Sequence, residues 1–424
     1  MKARVLGKFF LVALVFCVGA LSQRPSSAEF NLFCRILAKA NDLMYGPDYV
    51  YNENVDKEII KEMTVLYNAT TDNMKEFRKT LWATKDFFEA HPPPMDAKNR
   101  QEAHREIGKL IDKGEKKIEE NKKIGLEVNK KMHDAKVSVA QGIFGDKVTE
   151  VPQDEKNLTG FLGDTGDIFN DKSDVKKSCG NGETKAGKTL INDLFCVCVG
   201  EGGDSEGPCH TEIWPPRSWY GCNGNCKWTL IKFGPDDNSN PPKLIKSLSE
   251  SFKKIEHVCR EEMMQNSVKS KDMAGLLDEY VGMIWNGTTK DAKEKKIFGH
   301  SERKKKDEVT QCDGTKGSNN GNKEEKNNNH ICVDYTKNKE GDKYEIPWHN
   351  KFKNYTTLLK DAKQLENQIL KNRADLLLLK TEAWAAYNRE SDDETSNLDD
   401  MNVSNLLDGV QLPSFFLSYL AIFL

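Results

Sequence analysis

Long apolar runs are nearly missing from this chain. The two that exist, residues 9–21 (FFLVALVFCVGAL) and 412–424 (LPSFFLSYLAIFL), lie at its ends. Each is shorter than the ~20 residues that cross a bilayer comfortably, so a multi-pass membrane protein is excluded. Apolar content is low throughout: 37% hydrophobic against 30% charged residues, where ordinary globular chains have roughly 45–50% and about 25%. That balance argues against a typical compact enzyme core. An excess of one charge is also lacking. Lys+Arg 63 and Asp+Glu 66 leave a net charge of -3, so nothing global attracts nucleic acid. No HExxH signature occurs and the eight His are scattered; no enzyme activity and no cofactor are expected. Cysteine is absent from 35–178 and again after 332, which confines any covalent staples to one part of the chain.

What is present begins at the termini. Lys2, Arg4 and Lys8 precede the first apolar run, and Ser26-Ser27-Ala28 follow it. This is the layout of a secretory signal peptide within residues 1–28, with cleavage after Ala20 or Ala28. The second run ends the chain after small and polar residues, the layout of a GPI-attachment signal over 405–424 that is removed when the lipid is joined. Ser404 is the preferred attachment residue, with Asn402 and Asp408 as alternatives, and an acidic linker spans 391–404. Together the ends predict a protein on the outer leaflet of the plasma membrane, held there by a GPI lipid.

Apart from Cys17 in the leader, ten cysteines remain: Cys34, Cys179, Cys196, Cys198, Cys209, Cys222, Cys226, Cys259, Cys312 and Cys332. An even number in a secreted chain predicts disulfides, whose connectivity the sequence does not give. Cys312 and Cys332 flank a polar loop that their pairing would close. The Cys196-x-Cys198 and Cys222-x3-Cys226 pairs, with Cys209-His210 between them, have a zinc-like look. An oxidising compartment works against thiolate ligands, and no metal is expected. Asn68, Asn157, Asn286, Asn354 and Asn402 head Asn-x-Ser/Thr sequons and are candidate glycosylation sites.

Three long amphipathic helices are predicted. The first runs over about 54–90 with Ile60, Met63, Tyr67, Thr70, Met74, Phe77, Leu81, Thr84 and Phe88 in alternating steps of three and four, a coiled-coil seam. His91-Pro92-Pro93-Pro94 stops it. The second, about 95–139, carries Ile107, Ile111, Gly114, Ile118, Asn121, Gly125, Val128, Met132, Ala135 and Val139. Its glycines cost about 1 kcal/mol each and are expected to let a neighbouring backbone approach. The third, about 351–390, repeats Leu358, Ala362, Leu365, Ile369, Asn372, Leu376, Leu379, Ala383 and Ala386. Asn372 is on the seam, where burial would lower stability but fix register; the alternative is a surface-facing side chain. Such helices are roughly 50–65 Å long. The fold class read from this is mainly α: an elongated antiparallel coiled-coil bundle over 29–390 with a disulfide-rich, loop-rich head inserted at about 145–345.

In the head, Trp214, Trp219 and Trp228 are expected packing anchors, with weaker helices near 243–265 and 272–285. Residues 313–330 are low-complexity and polar and predict an exposed, mobile loop. The basic run Arg303–Lys306 reads as a solvated face. Gly182, Gly187, Lys188 and Thr189 complete a Walker A pattern, but DVKKSCGN before it is no apolar strand. The nucleotide-binding chemistry needs that strand, so the match reads as coincidental.

With its leader, helical hairpin, Cys-rich head, returning helix, sequons and lipid tail, the chain resembles an African trypanosome variant surface glycoprotein. The segment FNLFCRILAKANDL around Cys34 fits that impression. The resemblance implies an N-terminal domain similar to the B type. It looks like the single-domain kind, with no Cys-rich domain expected before the anchor. It further implies a homo-oligomer, dimer favoured, in a packed coat that meets host antibodies and evades them by antigenic variation. The other function implied by the same scaffold is a surface receptor for a host serum protein such as transferrin or haptoglobin–haemoglobin.

Overall fold

The computed structural model describes residues 24–73, 75, 78, 84–201, 205–215, 231–233, 247–265, 271–287, 295–317 and 327–389. The chain is mainly helical. In order come α1 (Ser27–Met44), α2 (Glu53–Ala69), α3 (Lys85–Ala90), α4 (Ala97–Phe144), α5 (Glu155–Gly163), α6 (Leu190–Cys198), α7 (Leu248–Gln265), α8 (Met273–Gly282) and α9 (Pro347–Tyr387). A three-stranded antiparallel sheet joins β1 (Trp285–Asn286), β2 (Lys296–Phe298) and β3 (Val333–Asp334), with Trp285 opposite Ile297 and Phe298 opposite Val333. The described residues fall into two compact units, those within 47–134 and 357–424 in one and those within 1–46 and 135–356 in the other. α4 and α9 contribute to both.

The first unit is the predicted bundle. Ile60, Met63 and Leu66 of α2, Ile107 and Ile118 of α4, and Leu376, Leu379 and Ala383 of α9 form one apolar cluster. Ile124, Val128, Ala362 and Ile369 form a second. Between the two in sequence lies a buried polar layer. Asp56 accepts from Tyr51 Oη (2.7 Å), from Asn121 Nδ2 (3.0 Å) and from Arg373 Nε, while Asn372 Nδ2 donates to Asn121 Oδ1 (2.9 Å). Asn372 is thus buried on its seam. The two seam glycines admit side chains rather than backbone: a Cβ at Gly114 would collide with Ile60, and one at Gly125 would crowd Tyr51.

The first predicted helix is not continuous. α2 stops at Ala69, although the seam pattern runs on to Phe88. Thr71 Oγ1 accepts from Asn73 N (3.2 Å), and Asn73 Oδ1 from Lys75 N (3.1 Å); such local bonds offer the backbone an alternative to the helix. Met74, Phe77 and Leu81 lie outside the described residues. α4 extends five residues beyond the predicted end at Val139. At the Pro-rich turn, Phe87, His91 and Trp384 pack ring to ring, and Tyr387 Oη donates to His91 O (2.9 Å).

The second unit holds the disulfides. Helix α1, not expected from the sequence, sets Phe33 edge-on to Tyr280 and Phe298 and is stapled to α7 by Cys34–Cys259. α6 is buried at every position. Its Cys196 pairs with Cys179 and its Cys198 with Cys209; Cys312–Cys332 is the remaining bridge among the described residues, and it closes the polar loop as anticipated. The ends of that loop are held tightly rather than free. Asp313 and Asn328 are buried, and the Glu201 amide donates to Gly314 O (2.7 Å). Cys222, Cys226, Trp219 and Trp228 lie outside the described residues, as do residues 1–23 and 390–424 with Asn402, Ser404 and Asp408.

Candidate functional site

The most concentrated chemistry in the described chain is a buried acid. Asp193 occupies the first turn of α6, whose N-cap Thr189 accepts from the Asn192 amide (3.0 Å). Tyr335 Oη and Trp348 Nε1 (2.6 Å) both donate to Asp193 Oδ2, and Asn192 Nδ2 donates to Oδ1 (3.0 Å). Tyr280 and Tyr335 share a further hydroxyl–hydroxyl bond of 2.7 Å. Burial raises the Asp193 carboxyl to about 6 against the lowering pull of its donors. Asp193, Tyr280, Tyr335 and Trp348 are all fully buried, so no substrate reaches this acid as the unit stands. It ties α6 to Tyr335, just after β3, and to Trp348 of α9, and through the Tyr335 hydroxyl to Tyr280 of α8.

The consequence is a pH dependence of unusual sign. Because the folded value exceeds the unfolded one, the folded state keeps a proton that the unfolded chain releases, and this contribution to stability falls as pH rises from about 4 to about 6. The shift corresponds to about 3 kcal/mol. Asp193→Asn removes that component. The stability difference between protein and variant, measured by denaturant unfolding at pH 4 and pH 7, is expected to change in the variant's favour by about 2 kcal/mol at the higher pH, because part of the shift is already lost at pH 4. A constant difference would refute it.

The Walker-like loop meets this same centre. A helix does follow it, but the segment before it is a helical turn, Val175–Cys179, and not a strand. The amides that would face a phosphate are engaged by side chains: Ala186 N donates to Asn338 Oδ1 (2.9 Å) and Lys188 N to Asn170 Oδ1 (3.1 Å). Lys188 Nζ donates to Gly166 O (2.7 Å), and Gly187 adopts φ +84° against Ile346. The loop is a structural corner.

Cys196 and Cys198, two apart on one helix, belong to separate disulfides. Among the described residues no group of three His, Cys, Asp or Glu is arranged to hold a metal ion. In the basic run, Arg303 is drawn inward to Glu308 (3.1 Å) and Asn328, and Lys306 lies 5.1 Å over the Trp285 ring. Trp214 is half-buried beneath Arg24, 5.4 Å from its ring centroid. The larger anchor is Trp348, which the sequence reading passed over; its place just after Ile346-Pro347 at the start of a long seam was the available signal.

At the surface, Asn157, Asn286 and Asn354 are exposed, and Asn68 is half-buried where it lines an open groove of about 500 Å³ between α2 and α4. Asn354 Nδ2 donates to Ser138 Oγ (3.1 Å), and Asn286 Oδ1 accepts from Lys296 Nζ. No helix among the described residues is long and apolar enough to cross a membrane. A family model described as Trypanosomal VSG domain matches residues 50–376. Comparison with curated proteins finds no match.

Proposed function

The chain belongs to the trypanosomal VSG domain family, and from that premise we propose that it is a GPI-anchored coat protein that shields the parasite membrane and presents a variable antigen to host antibodies. Membership of the family carries the coarser statement, a trypanosome surface coat glycoprotein, and the family is not one of enzymes. The match over 50–376 takes in the bundle and the disulfide-bearing unit alike, and is the observation on which the proposal rests.

Other features support the finer reading. Apolar runs at both ends suit a leader and a lipid-attachment signal. Exposed sequon asparagines suit a glycosylated outer face. Leu126 on α4 and Leu370 and Leu378 on α9 are exposed; a second copy of the chain, in the proposed dimer, would cover such side chains. The hydrogen-bonded interior specifies one fold, so the outer residues are available for sequence change.

Treatment of cells with a phosphatidylinositol-specific phospholipase is expected to release the protein, with a lipid-derived group on Ser404, Asn402 or Asp408 in its last peptide. Retention of the protein under conditions that release other anchored proteins, together with an intact Leu424 terminus, would overturn the anchor. Copy number separates the coat reading from the receptor reading, since a coat protein is abundant and a receptor sparse.

A further inference from the structure

Two cleavage positions are open in the sequence, and they differ in whether residues 21–28 survive. We propose that the leader is removed after Ala20 and that Arg24–Ala28 remain as permanent parts of the folded protein. The inference rests on the secretory reading above. The scissile bond lies outside the described residues, and the bonds made by Arg24, Pro25 and Ser26 downstream of it decide between the two positions.

Ser26 is fully buried. Its amide donates to Pro208 O (2.8 Å), its Oγ accepts from His300 N (2.8 Å), and its carbonyl receives the Phe30 amide (3.0 Å) in the first turn of α1. Pro25 O accepts from Glu302 N (2.9 Å), and Arg24 pairs with Glu206. His300 stands at φ +58°, a conformation that a non-glycine residue keeps only when its surroundings fix it. Ser26 is one of the groups that fix it. Residues 24–26 therefore behave as a strap across the 206–208 and 300–302 segments.

Cleavage after Ala28 would remove every one of these bonds. The amide of buried His300 and the carbonyl of buried Pro208 would lose their partners, and unpaired buried groups are costly; the bond to the Glu302 amide, on an exposed residue, would go as well. A new ammonium would also arise on Glu29, the residue whose buried carboxylate accepts from Ser301 N (2.9 Å). That positive charge would sit at the N-terminus of α1, where the helix dipole repels cations. Cleavage after Ala20 avoids all of this. Water adds across the Ala20–Leu21 amide, leaving a carboxylate on Ala20 and an ammonium on Leu21, three residues before the first described contact. Val18-Gly19-Ala20 supplies the small residues that a leader peptidase accepts.

The test is the N-terminal peptide of the full chain expressed through a secretory pathway, identified by mass spectrometry. A start at Leu21 is expected. Ala28→Gln, which blocks the second position and keeps a good helix former, is expected to leave that start unchanged, and Ala20→Gln to abolish it. A start at Glu29, or loss of processing in Ala28→Gln, overturns the assignment. Retention of Met1 in secreted, folded protein would instead defeat the signal-peptide reading itself.

Discussion

Arg373→Leu is expected to destabilise the helical bundle by about 3–5 kcal/mol, the cost of leaving a buried partner charge uncompensated. Asp56 is fully buried and relies on Arg373, Asn121 and Tyr51 for its bonds. With the guanidinium gone, the buried carboxylate keeps only the neutral donors of Asn121 and Tyr51. Replacing Asp56, Asn121 and Asn372 by Leu and Arg373 by Met together has a different expected result. An apolar layer of similar volume is often neutral or more stable by about 1–4 kcal/mol. The joint variant should therefore recover the loss of the single one, while its helices gain freedom to pair out of register. Thermal unfolding followed by circular dichroism reads the first effect, and cross-linking of cysteine pairs placed along α4 and α9 reads the second. A single variant within about 1 kcal/mol of the parent would show that the layer is not closed to water.

The second large effect belongs to Cys34–Cys259, whose residues are 225 apart in sequence. By the loop-closure account, losing such a long cross-link costs about 5 kcal/mol, against about 3 kcal/mol for the Cys312–Cys332 bridge, with its separation of 20. Paired Cys→Ala variants, unfolded in guanidinium with Trp348 fluorescence as reporter, should rank in that order. Equal losses would mean that native contacts of α1 and α7, rather than chain entropy, set the value.

The bundle was legible because seam residues at steps of three and four must face a partner; Leu376, Leu379 and Ala383 are buried as that spacing requires. The break after Ala69 was not, since the apolar pattern continues through it and the helix ends on local side-chain bonds. α1 escaped notice although Phe30, Phe33, Leu37, Ala40 and Met44 have helical spacing, because the leader signal overlaps its first turn. α6 is apolar all round and gives no amphipathic signal. The Asp193 centre was hidden for another reason: Tyr335 and Trp348 lie 142 and 155 residues downstream. Pairings of that range are set by topology.

Cys196 and Cys198 have a consequence of their own. Two residues along a helix turn the side chains about 200° apart, so these thiols face opposite walls and reach Cys179 and Cys209 on different sides. Helix formation in this short segment thereby sorts the oxidation partners before any bond is made. A chain that oxidises while 190–198 is still uncoiled loses that sorting.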